Sequence, residues 1–190
     1  MKTKAIIASV VLMLVLGACS GSADSTPVES PAPSDSAVPT IVEKRVGIEI
    51  GDIAPNILLF SEDGQHAMLA DFRGKVIMLN FWASWCGPCR EEMPSMEKMW
   101  LEYQDRDFVI IAVSVGESPD AVNDFVSELG LTFPIYLDTS KSSYAVYNKS
   151  NGIPQTYIID KDGVIRNYIP GSRDWDDIMQ RAPILRLMGR

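Results

Sequence analysis

Val76-Ile77-Met78-Leu79-Asn80-Phe81-Trp82-Ala83-Ser84-Trp85-Cys86-Gly87-Pro88-Cys89-Arg90-Glu91-Glu92-Met93-Pro94 joins an apolar run to a Cys-x-x-Cys pair and then to a helix-like stretch. Val76 to Trp82 carries a single polar side chain, Asn80, and reads as a strand buried on both faces. Arg90 to Trp100 reads as helix, so Cys86 and Cys89 fall at a strand-to-helix turn. Two thiols placed there can close to a disulfide and reopen. Stapling is a poor use for them, because the chain-entropy model gives only about 2 kcal/mol for so short a loop. Zinc uses the same spacing but needs two more soft or imidazole ligands. The chain offers one His, His66, and one further Cys, Cys19. Redox chemistry is the expectation.

Residues 1–18 read as an export signal. Lys2 and Lys4 precede a twelve-residue apolar core, Ala5 to Leu16, too short to cross a bilayer as a stable helix. Leu16-Gly17-Ala18-Cys19 resembles the lipobox of bacterial lipoproteins. That resemblance implies that Cys19 carries a diacylglyceryl thioether and forms the mature N-terminus, anchored to the membrane. The alternative is an ordinary signal cut near Ala18, which leaves a free exposed thiol outside the cell, a chemical liability. Lipidation of Cys19 leaves one pair, Cys86 and Cys89, in an oxidising compartment.

Residues 19–46 are expected to form a disordered acidic tether. Ser20 to Pro39 is rich in Ser, Pro, Ala and acids, with Val28 and Val38 its only large apolar side chains. Residues 47–190 then form one folded domain. Removing Lys2 and Lys4 leaves 17 − 2 = 15 basic residues against 25 acidic, a mature charge of −10. That balance argues against nucleic acid and anionic membrane surfaces as partners.

Two short extended segments flank Asp63-Gly64 and predict an N-terminal hairpin, with His66 on its surface. Asp107 to Val115 predicts a second central, parallel strand. Ser118 and Pro119 open a helix that Gly130 closes. Ile135-Tyr136-Leu137 predicts a strand, Thr139 to Tyr147 a short helix, and Lys161-Asp162-Gly163 the turn of a second hairpin. Asp174 onward predicts a terminal helix with Trp175, Ile178, Met179 and Ala182 on one face, kinked or ended by Pro183. The order fits an α/β fold, a mixed sheet flanked by helices. Met93, Met96 and Met99 follow core spacing rather than forming a copper thioether site. Trp82 is expected in the core, and Trp85 as a ring covering the thiols.

Asn80 to Pro94 resembles the active-site segment of thioredoxin-fold proteins of the TlpA/ResA type. Val113-Ser114-Val115-Gly116-Glu117-Ser118 resembles the second-strand exit of ResA-like members, and Gly152-Ile153-Pro154-Gln155-Thr156 their cis-proline loop. The resemblance runs from about Gly51 to Arg173 and implies a thioredoxin-like domain with Ile153–Pro154 cis and no cofactor beyond the Cys86–Cys89 disulfide.

Cys86, at a helix N-terminus, is the expected nucleophile, since unpaired N–H groups there favour an anion. Lowering a thiol pKa from about 8.5 to about 7 raises the thiolate fraction at neutral pH from roughly 3% to roughly 50%. Nucleophilicity falls with pKa, so the net gain in attack rate is only about fourfold. Positioning of the second thiol must supply more. Cys89, one turn into the helix, is the expected resolving thiol. Glu92 shares its face, and the resemblance implies an acid/base group serving the dithiol; the plainer reading is a first-turn Glu facing solvent. Asn80 stands where cytoplasmic thioredoxins carry a buried acid, so that proton route is absent. Gly87 and Pro88 shape the turn. Trp85, Gly87, Pro88, Ile153 and Pro154 are the expected substrate contacts, with a client peptide added as a strand beside the proline loop.

The expected function is an extracytoplasmic thiol–disulfide oxidoreductase, a monomer, working as a reductant. The resemblance implies electrons from a CcdA/DsbD-like membrane protein and oxidised protein clients, including the haem-binding cysteine pair of an apocytochrome c. A net oxidant of protein thiols is one alternative. A peroxiredoxin-type peroxidase is another, because Gly51-Asp52-Ile53-Ala54-Pro55 resembles that superfamily's domain opening. Ala83-Ser84-Trp85 lacks the Pro that precedes a peroxidatic cysteine. A copper-handling or passive binding module is disfavoured by the single His.

Overall fold

A computed structural model describes residues 44–189. The signal segment, Cys19 and the tether as far as residue 43 lie outside the described residues. Arg45 and Val46, placed with the tether by the sequence, already join the domain: Arg45 ion-pairs with Asp52 at 2.9 Å and Val46 bridges Ile53.

The elements are β1 (Leu58–Ser61), β2 (His66–Met68), β3 (Val76–Trp82), α1 (Gly87–Tyr103), β4 (Phe108–Val115), α2 (Pro119–Leu129), β5 (Ile135–Asp138), α3 (Ser142–Tyr147), β6 (Gln155–Ile159), β7 (Ile165–Pro170) and α4 (Ile178–Met188). They form a seven-stranded sheet in the order β2-β1-β5-β4-β3-β6-β7. The centre, β5-β4-β3, is parallel; β1 and β2 on one side and β6 and β7 on the other pair antiparallel.

Every residue of β3 and β4 is buried, because both faces of the central sheet are covered. Val76, Met78 and Trp82 face α1, α2 and α4; Ile77, Leu79 and Phe81 face the N-terminal hairpin and α3. This split follows from the two-residue period of a strand. Asn80 belongs by parity to the α1 face. On α1, Cys89, Glu92, Met93, Met96, Met99 and Tyr103 are buried at helical spacing, and the three methionines are core. Ser118 caps α2 through the Ala121 N–H, and Gly130 ends it at φ 63°, a left-handed position that glycine adopts at little cost.

The terminal helix departs from the sequence reading. It begins at Ile178, so Trp175 lies before it, buried, with its backbone N–H donated to Ser95 Oγ at 2.9 Å. Ile178 and Met179 are exposed, and Arg181, Ile184 and Met188 face the core instead. Pro183 sits inside the helix without ending it. Its missing N–H would have paired with the carbonyl of exposed Met179, one bond from a surface turn.

Candidate active site

The parallel strands β3 and β4 deliver their C-terminal ends to one rim of the sheet, where β3 feeds the Cys turn. Cys86 is the N-cap of α1, and its Sγ accepts the Cys89 N–H at 3.2 Å. The two sulfurs are joined as a disulfide, with Cα atoms 5.2 Å apart. Cys86 retains 6% of its exposure and Cys89 none. The pair is therefore asymmetric, with only the first sulfur on the rim.

Pro88 enters α1 in its first turn, where a missing N–H costs nothing. It and Gly87 are exposed, and a Cβ at Gly87 would meet nothing within 4 Å. The Ile153–Pro154 peptide is cis. The Ile153 carbonyl oxygen lies 3.7 Å from Cys86 Sγ, so the loop before β6 and the N-terminus of α1 meet at the outer sulfur. A bridged sulfur carries no proton; once the bridge opens, a Cys86 thiol could donate along that line. Ile153 is half-buried and Pro154 buried.

Trp85, directly before Cys86, is 72% exposed and makes no ring contact with another aromatic among the described residues. Trp82 is the core partner instead, 4.9 Å from Phe125, whose other neighbour is the Arg90 guanidinium.

Glu92 is the second chemically distinctive group. It lies one turn beyond Cys89 on the same face of α1 and is 2% exposed. Its Oε1 accepts from Asn80 Nδ2 at 3.0 Å and its Oε2 from the Arg173 N–H at 3.2 Å. Burial pushes its carboxyl from 4.5 up to about 7, against the lowering effect of Asn80, the Arg173 N–H, the nearby Trp175 indole and the Arg173 charge. Loss of hydration outweighs those donors together. Glu92 lines an open groove of about 410 Å³ with Ser95, Lys98, Ser172 and Asp176, a route from the buried carboxyl to solvent. A group poised near neutral pH beside a buried thiol can take up or return its proton.

Sequence reasoning missed a second carboxylate. Glu117, just past β4, is buried and accepts from the Ser84 N–H at 2.9 Å, from Ser114 Oγ at 2.8 Å and from Ser84 Oγ. It clamps the turn that leads into Trp85 and Cys86. An acid directly after a fully apolar strand, at the carboxyl end of a parallel pair, is the signal that could have found it. Among the described residues no group of three or more His, Cys, Asp or Glu is placed to hold a metal ion.

Residues 50–168 match the AhpC/TSA family. The chain belongs to that family. Within it, 143 residues are 37% identical to the thiol-disulfide oxidoreductase ResA of Geobacillus thermodenitrificans, over 75% of this chain and 82% of that one. The thioredoxin-like protein YneN of Bacillus subtilis is 41% identical over 148 residues, 76% of this chain and 85% of that one. Among solved structures, a thiol:disulfide interchange protein of the thioredoxin family from Chlorobium tepidum superposes with a TM-score of 0.62 at 27% identity, covering 72% of this chain and 95% of that one. A secreted thiol-disulfide isomerase from Corynebacterium glutamicum gives a TM-score of 0.65 at 26% identity, covering 72% and 85%. The fold is thioredoxin-like, and the protein is a thiol–disulfide oxidoreductase of the ResA type.

Proposed function

We propose that the oxidoreductase reduces protein disulfides outside the cytoplasm, tethered to the membrane through lipidated Cys19. The observation that carries the reading is the asymmetry at the tip of α1, with an outer sulfur on the rim and an inner one wholly buried, one turn from a buried carboxyl. That arrangement suits a thiolate that attacks a large substrate and a second thiol that never meets it.

In the reduced protein, the Cys86 thiolate attacks one sulfur of a client disulfide. A mixed disulfide forms and the client's other sulfur leaves as a thiolate. Cys89 gives its proton to Glu92 and attacks Cys86 Sγ, which breaks the mixed disulfide and releases the client's second thiolate. Two electrons pass to the client, and the enzyme is left with the Cys86–Cys89 bridge. Restoring the dithiol requires a reductant, for which a CcdA/DsbD-like membrane protein is the matching donor. The haem-binding cysteine pair of an apocytochrome c is a client of the right chemistry. The cis-proline loop beside Cys86 supplies the backbone edge on which a client strand would lie.

Cys89→Ala tests this reading. It removes the resolving thiol and should accumulate mixed disulfides through Cys86; absence of protein adducts would remove the protein-disulfide substrate. The potential of the couple decides direction, because related dithiols span about −270 to −120 mV. A value more oxidising than about −180 mV would reassign the protein as a net oxidant. Turnover of peroxide without a protein substrate would reassign it as a peroxidase.

A further inference from the structure

Asn80 has no part in the electron transfer, yet it sits fully buried in the middle of β3 with an incomplete set of hydrogen bonds. Both protons of its Nδ2 are used, one on Glu92 Oε1 at 3.0 Å and one on Thr156 Oγ1 at 2.9 Å. Its Oδ1 has no partner among the described residues. A buried acceptor left unpaired at the centre of a sheet calls for an explanation.

The surroundings of Glu92 supply one. Both carboxyl oxygens face donors, Asn80 Nδ2 on one side and the Arg173 backbone N–H on the other. That set suits a carboxylate, which only accepts. It does not suit the carboxylic acid, whose O–H needs an acceptor. Backbone N–H groups cannot reverse. A carboxamide can, because half a turn about its last bond exchanges oxygen for nitrogen with almost no change of shape. The turned amide would place Oδ1 where Nδ2 now lies, to accept from the Glu92 acid and from Thr156, whose hydroxyl donates as readily as it accepts.

We propose that Asn80 is a positioning residue that follows the proton on Glu92: its carboxamide donates to the carboxylate through Nδ2 and, turned over, accepts from the carboxylic acid through Oδ1. The unpaired oxygen is then the half of the device that the ionised state leaves idle. One side chain that never titrates holds Glu92 in the same place before and after Cys89 passes its proton across. An Asp at this position would compete with Glu92 for the proton, and a Leu would hold neither form. The inference rests on the reading of Glu92 as the proton carrier. The charged groups around that carboxyl are Arg173 and, along the groove, Glu91, Lys98, Asp174 and Asp176, with Lys98 and Asp176 ion-paired.

The test uses the oxidised full chain, in which neither Cys86 nor Cys89 titrates. The side-chain amide of Asn80, labelled with nitrogen-15, and the carboxyl carbon of Glu92, labelled with carbon-13, are followed by NMR from about pH 5 to about pH 9, spanning the raised carboxyl pKa. The Asn80 amide protons should titrate with the same midpoint as the Glu92 carbon, and their protection from solvent exchange, taken relative to the base-catalysed intrinsic rate at each pH, should fall on the acid side, where Nδ2 has lost its partners. In Glu92→Gln the Asn80 titration should vanish while the fold persists. Asn80→Ser, which keeps a donor-acceptor hydroxyl, should retain the neutral-pH inflection of thiol exchange; Asn80→Leu should slow resolution about tenfold. Asn80 signals that stay flat while Glu92 titrates would overturn the inference and leave the proposed function intact. A Glu92 carbon that does not titrate in this range would also overturn it. Disulfide exchange by the wild-type protein, measured separately, decides the proposed function alone.

Discussion

The Arg173 backbone N–H donates to Glu92 Oε2 across 3.2 Å, tying the carboxyl on α1 to the segment that follows β7. That bond and the one from Asn80 hold the carboxyl inside the protein, where burial alone would favour its neutral form.

Glu92 should therefore make the fold pH-sensitive. Its folded pKa is raised from 4.5 to about 7, so below 4.5 folded and unfolded chains both hold the proton. Between those values only the folded chain holds it, and stability falls as pH rises, by about 1.4 kcal/mol per unit. The loss totals about 3 kcal/mol and levels off above the folded pKa. Glu92→Gln removes this slope. Denaturant unfolding of the oxidised protein should show the variant gaining about 3 kcal/mol on wild type between acid and mildly alkaline pH. A difference that does not change with pH would show that Glu92 titrates normally.

Glu117 carries a different expectation, since its role is to hold the turn ahead of Cys86. Glu117→Ala leaves the Ser84 N–H and the Ser84 and Ser114 hydroxyls without their acceptor. Hydrogen bonds to a charged group are worth about 1.5–3 kcal/mol each, and part of that returns through water once the site opens. A destabilisation of about 3 kcal/mol is expected, with Glu117→Gln near half of it. Loss of less than about 0.5 kcal/mol on Ala substitution would remove Glu117 from the support of the turn.

The elements on which these residues stand were legible where a local rule governs them. The apolar run Val76 to Trp82 is strand β3, and Ser118, Pro119 and Gly130 mark the ends of α2 because caps are read from single residues. The start of α4 was not legible. Asp174 and Asp177 both offer a capping carboxylate; Asp174 accepts the Asp176 N–H at 2.9 Å, but the helix begins after Asp177, which accepts the Met179 N–H at 2.8 Å. Trp175 was drawn away from the helix face by Ser95 on α1. In the site, Cys86, Cys89 and Glu92 share a seven-residue stretch and could be read together. Asn80 to Thr156 and Ser84 to Glu117 join residues 76 and 33 positions apart, a separation at which no periodicity or motif spacing speaks.

The methionines of α1 separate a core reading from a metal reading. Met96 has no exposed surface. Met96→Ala should cost about 2–5 kcal/mol, while Met96→Leu, which keeps most of the volume, should cost less than about 1.5 kcal/mol. The reduced protein should bind Cu(I) equally well before and after Met96→Leu. A Leu variant that folds normally yet loses tight copper binding would reinstate the thioether site.

Trp85 offers the sharpest contrast between stability and recognition. Its ring is 72% exposed in the turn before Cys86, so the fold gains little from it. Trp85→Ala should change unfolding free energy by less than about 0.5 kcal/mol. A client docking over Cys86 would bury that ring, and buried Trp anchors commonly contribute about 2 kcal/mol or more to an interface. The expected result is a fall of roughly thirtyfold in kcat/KM for a protein disulfide, with near-normal exchange on a small reagent that cannot reach the ring. Equal losses on both substrates would mean that Trp85 acts on the sulfur itself rather than on the client.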